Sequence, residues 1–155
     1  MNLLLIFALA IGFAAGLRSL TAPAVVAWAA HVGWLNLQGS PLVFLGSMPA
    51  VVILSIAAIG ELVGDKLPII PKRTALPPLL ARILAGATSG AALCVSANYS
   101  LVIGALLGGL GGVIGAFAGY EIRRRLTTGL DIRDLFIAVP EDLIAIGLSL
   151  FLVTR

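Results

Sequence analysis

Charge is scarce in this chain. Only 11% of its 155 residues are Asp, Glu, Lys or Arg, while 60% are hydrophobic; soluble domains carry about 25% charged residues. A water-soluble fold of this size could not hide so much apolar surface, so the composition points to an integral membrane protein. Cysteine is scarcer still. A single thiol, Cys94, excludes an internal disulfide and a cysteine-rich metal site, and its apolar surroundings predict a buried, inert side chain. No Lys or Arg precedes the opening run MNLLLIFALAIGFAAG and no small-x-small cleavage site clearly ends it. It therefore reads as a retained first membrane helix. No nucleophile motif, phosphate loop or His/Cys/Asp cluster with metal spacing occurs, so no enzyme, cofactor or metal is expected. The net charge of +3 is small and sits in loops and helix ends, which points to membrane orientation rather than nucleic acid.

What remains is a succession of apolar runs. They predict an all-α fold, one integral membrane domain over residues 1–155. It is a polytopic transmembrane helix bundle of about five spans plus one re-entrant or interfacial half-helix. The expected spans are 3–20, 43–65, 79–97, 101–122 and 135–153. Residues 24–35 are only 12 long, too short to cross, and carry Trp28, His31 and Trp34 as headgroup-level residues. Pro68, Pro71, Pro77 and Pro78 predict a non-helical basic loop over 66–78. Gly104, Gly108 and Gly112 recur every four residues, as do Gly111, Gly115 and Gly119. Glycine costs about 1 kcal/mol per helical position in water, so this density requires another backbone against that face.

Lys66, Lys72, Arg73, Arg123, Arg124, Arg125 and Arg133 fall in two loops, 66–78 and 123–134, and the opposite loops hold no Lys or Arg. The positive-inside rule places both basic loops in the cytoplasm. Five spans then put the chain's start inside and its end outside. If 24–35 crossed, there would be six spans and the start would lie outside.

Six charged residues stand at or near membrane depth and are candidates for a substrate or ion pathway. Glu61 and Asp65 are one helical turn apart on one face. Asp65 sits at a helix end and reads as water-facing. Glu61, between Gly60 and Gly64, reads either as a cytoplasmic-side acid or as a proton or cation site facing the interior. Arg82, at similar depth, pairs with Glu61 or Asp65, the alternative being snorkelling to phosphates. Glu141 and Asp142 follow Pro140, and only 11 apolar residues, 143–153, remain after them. Either both acids lie inside the membrane, or a half-helix starts at Pro140, where the dipole favours negative charge. Arg18, beside the 19–23 break, snorkels or binds an anion. Glu121 pairs with Arg124 or Arg125 at the next turn. Arg123, Arg124 and Arg125 are a topology signal with anionic lipid as a secondary contact.

The strings GLRSLTAPAVVAWAA (16–30), GELVGDKLP with PKRT (60–74) and PEDLIAIGLSL (140–150) resemble a widespread group of small bacterial integral membrane proteins, a family grouped as a domain of unknown function. The resemblance implies a polytopic inner-membrane protein and supplies no catalytic residue. Two functions compete. One is a small transporter or channel subunit, homo-oligomeric through its glycine faces, with Glu61, Arg82, Glu141 and Asp142 along a pathway and Arg18 at its opposite end. The other is a non-transporting module that binds lipid or a partner through those faces and the basic loops. Convergence of Glu61 and Glu141 on one polar cavity favours the first; separate exposure to water favours the second.

Overall fold

A computed structural model describes residues 2–64, 75–130 and 133–155. All regular structure among them is helical: α1 Asn2–Leu17, α2 Thr21–Val32, a short 3-10 turn Val43–Gly46, α3 Met48–Gly64, α4 Leu76–Ser96, α5 Leu101–Gly129 and α6 Asp134–Val153. Among the described residues three helices are long and apolar enough to cross a membrane: α4, α5 and α6 over Phe136–Val153. Asp65, Lys66, Lys72 and Arg73 lie outside the described residues.

The interior is built mainly of small apolar residues with a few polar ones among them, and the exterior is large and apolar. Among the described residues Arg18 is the largest fully buried side chain, while Ile53, Ile56, Leu84, Leu106, Ile114, Phe136 and Leu143 face outward. This inverts a soluble protein and suits lipid as the solvent. The centre is α5, with α1 on one side and α4 on the other, and the glycine spacing sets the distance. A Cβ on Gly104 would meet Gly90 O at 2.6 Å, and one on Gly112 would meet Arg82 O at 2.7 Å. Gly12 and Gly86 both face the Gly108 backbone, and Gly16 faces Gly112 and Gly115. Both glycine faces are therefore occupied within one chain.

Helix ends depart from the sequence reading in α4 and α5, and α6 decides between two readings. α4 starts at Leu76, taking Pro77 and Pro78 into its first turn, where their missing N–H groups would have had no helical partner anyway. α5 continues past Ile122 to Gly129. Glu121 accepts from Arg125 Nε at 2.8 Å, and the Thr127 and Thr128 hydroxyls donate to carbonyls one turn back. α6 is continuous through Pro140, so no half-helix starts there.

The predicted short segment is present as α2, which ends at Gly33 with φ +90. Its Trp28 Nε1 donates to Ser55 Oγ of α3 at 2.9 Å, and the ring of His31 bonds Gly46 O at 2.9 Å through Nδ1. The start of α1 and the end of α6 share a face, because Leu3 and Leu4 line one cavity with Trp34, Ala97, Val153 and Arg155. Asn36 N also donates to Ser96 Oγ there at 3.0 Å. α1 and α2 therefore leave this face and return to it, with the turn between them at residues 18–20.

Candidate functional site

The turn at 18–20 breaks the backbone hydrogen-bond ladder. α1 leaves its last carbonyls without donors and α2 leaves its first amides without acceptors, as at any helix end. Leu20, at the N-cap of α2, has no capping side chain. Glu61 supplies the cap from α3. Ser19 N and Leu20 N donate to its two carboxylate oxygens, both at 2.8 Å, and Ser19 Oγ donates at 2.6 Å. Arg82 serves the other end. Its Nη1 donates to Gly16 O and, at 2.8 Å, to Leu17 O. Each charge opposes the helix dipole it meets, an anion at an N-terminus and a cation at a C-terminus. Arg82 Nη2 and Glu61 Oε1 stand 3.9 Å apart, so the two caps also attract each other.

The expected Arg82–Glu61 pairing is thus present, with the break as its reason. Arg18 is placed differently from the sequence reading. It is 1% exposed, and its Nη2 pairs with Asp142 Oδ1 of α6, so it lies in the same cluster as the acids and not at an opposite end. Glu141 goes elsewhere. Successive helical residues point about 100° apart, and Glu141 Oε2 faces Arg123 Nη1 at 3.9 Å on a different face of α6 from the one that meets Arg18. The structure therefore brings together Arg18, Glu61, Arg82 and Asp142, and leaves Glu141 in a separate groove. Of the arginine triplet, Arg124 and Arg125 flank Glu121, at 3.6 and 2.8 Å.

Helix rise gives the depth of this cluster. At 1.5 Å per residue Arg82 lies about 9 Å from the start of α4 and about 21 Å from its end. Asp142 lies about 12 Å from the start of α6 and about 16 Å from its end. For helices that cross a hydrocarbon core about 30 Å thick, both positions fall within it. Arg18 stands beside Asp142 and Arg82 beside Glu61, and such pairing lowers the cost of charge at that depth. Non-helical backbone at such depth is found where it is buried in protein or lines a cavity.

Sequence reasoning missed Ser19 as a ligand of the carboxylate. Its signal was a hydroxyl residue just ahead of a helix that has a proline in its first turn, Pro23.

The family model described as Domain of unknown function (DUF4126) matches residues 5–154. No curated protein and no solved structure matches the chain. The chain belongs to the DUF4126 family.

Proposed function

We propose that the protein is a small transporter subunit of the bacterial inner membrane that carries a small anion together with a proton, using the α1–α2 break as its binding site. The observation that carries this reading is the Glu61 carboxylate, which occupies a helix N-terminus beside a buried guanidinium. That position is an anion site filled by the protein's own anion.

Protonation of Glu61 cancels its charge and weakens its hold on the Ser19 and Leu20 amides. The vacated amides, the Ser19 hydroxyl and Arg82 then form a set of donors suited to a small anion. Proton and anion are thus coupled, because the anion takes the place that the neutralised carboxylate gives up. Asp142 holds Arg18 beside the same turn and keeps the backbone oriented. Discontinuous helices with half-helix N-termini aimed at anionic groups recur in transporters.

The arrangement in the bilayer follows from the shared face of the two chain ends. α1 and α2, about 24 and 18 Å long, form a hairpin entering from outside, and α3 to α6 cross. Both ends lie outside and the basic 66–78 and 123–134 segments lie in the cytoplasm.

Proteoliposomes with an inward proton gradient and a luminal pH dye test the reading. With external chloride, nitrate or acetate, at least one anion accelerates acidification by the wild type. Glu61→Gln passes the anion without the proton, and Asp142→Asn loses both. Wild-type coupled rates in both variants, or no anion dependence at all, overturn the assignment.

A further inference from the structure

Among the described residues the buried polar side chains are Arg18, Thr21, Arg82, Ser89 and Ser149. The first three belong to the break between α1 and α2, and the two serines do not. Ser89 lies seven residues along α4 from Arg82, and Ser149 lies seven along α6 from Asp142. Each therefore stands about 10 Å from the break, toward the face that the chain ends share, and each is 0% exposed. They differ in one respect. Ser149 Oγ donates to Ala145 O at 2.7 Å, the usual fate of a hydroxyl on a helix, and Thr88 does the same to Leu84 O at 2.9 Å. Ser89 Oγ has no hydrogen-bond partner among the described residues. A buried hydroxyl in that condition is unfavourable and rare, and its O–H is available to a ligand.

Its neighbours are small. One turn to either side on α4 stand Ala85 and Ala92, both buried. Across the seam Gly12 of α1 lies against Gly86, and Ala8, one turn beyond Gly12, is fully buried. One turn past Ser89, Leu93 lines the cavity of about 430 Å³ at the shared face, together with Phe7, Ser96 and Arg155. We infer that Ser89 is a way station for the transported anion, its hydroxyl donating to the ion between that outer cavity and the donors at the break. The inference rests on the transport reading above and names a residue on the route to the same site. A spare hydrogen is a donor, which complements an anion and not a cation. A neutral hydroxyl also suits a place of passage, since an intermediate site must bind well enough to admit the ion and weakly enough to release it.

Proteoliposomes of the full chain, with external chloride, nitrate and acetate in turn, test it. With whichever anion accelerates acidification by the wild type, Ser89→Ala runs about fivefold slower, the factor for one neutral hydrogen bond. Ser149→Ala is the matched control. Its hydroxyl is equally buried but already bonded within α6, so the variant keeps the wild-type rate. Ser89→Ala added to Glu61→Gln slows that variant's proton-free anion flux by the same factor, which assigns the hydroxyl to the anion. Ser89→Ala removes no hydrogen bond from the protein, so its thermal melt in detergent is no lower than that of the wild type, whereas a packing role would lower it. A wild-type rate in Ser89→Ala, equal slowing in Ser149→Ala, an unchanged anion flux in the double variant or a lowered melt overturns the inference and leaves the reading of the break standing. Absence of anion dependence in the wild type overturns both.

Discussion

At the scale of single residues, the stability of the fold rests on charges that would be expelled from most membrane interiors. Glu61 accepts three hydrogen bonds at the start of α2, and Arg82 donates to two carbonyls at the end of α1. Removing one member of a buried pair leaves the other uncompensated and costs about 3–5 kcal/mol. Glu61→Gln adds an amide N–H₂ that faces donors, so it belongs in that range. Arg82→Gln falls in the same range, because it leaves both carbonyls and Glu61 short of a donor. The double variant is less destabilised than the sum, by a coupling of about 0.5–3 kcal/mol, measured as unfolding in detergent by denaturant titration. Strict additivity would mean that each side chain caps its helix independently. Arg82→Lys does not rescue, since one ammonium cannot reproduce the forked contacts to Gly16, Leu17 and Glu61. The Glu61–Arg82 pairing was legible in the sequence because both residues sit at the same depth beside the same loop. The Arg18–Asp142 pair was not. Those residues are far apart in the chain, and their meeting depends on which face α1 starts from.

At the scale of elements, helix packing is decided by absent side chains. α1, α4 and α5 approach until backbone meets backbone, at Gly12, Gly86 and Gly108. Gly108→Ala inserts a methyl against the Gly86 carbonyl, where neither partner is a flexible side chain, so α4 and α5 must separate. Overpacking of this kind costs about 1–3 kcal/mol or more. Gly147 on α6 is the control, with nothing within 4 Å of a Cβ placed there. Gly147→Ala is neutral or stabilising by up to about 1 kcal/mol, the helix propensity gain alone. Thermal melts of the two variants in one detergent separate the cases, and equal shifts would contradict the packing. The need for a backbone against the glycine face could be read from spacing. Which backbone could not, and a second copy of the chain was an equal candidate until α1 and α4 were seen on it. Proline misled at one end only. Pro77 and Pro78 open a helix they were expected to exclude, because position relative to the first turn decides proline's effect, while Pro140 lies inside α6, as one of the two readings of that segment had it.

At the scale of the whole molecule, the proposed topology turns on the short second helix. Its shortness was readable from the sequence. The direction of α1 was not, because hydropathy is blind to direction and no basic residue precedes the run. Leu3 and Leu4 line one cavity with Ala97 and Arg155, which supports a hairpin of α1 and α2 over an odd number of crossings. In the proposed orientation Asn2 and Gln38, both exposed, lie outside, and Thr128, exposed near the end of α5, lies in the cytoplasm. Cys94 is buried, so cysteines introduced one at a time report selectively. Asn2→Cys and Gln38→Cys react with a membrane-impermeant maleimide on intact spheroplasts, and Thr128→Cys reacts only after permeabilisation. The informative position is Asn2. A five-span arrangement would place it with Thr128, whereas a hairpin places it with Gln38, because only a chain that turns back at residues 18–20 brings Glu61, Arg82 and Asp142 to one depth around that turn.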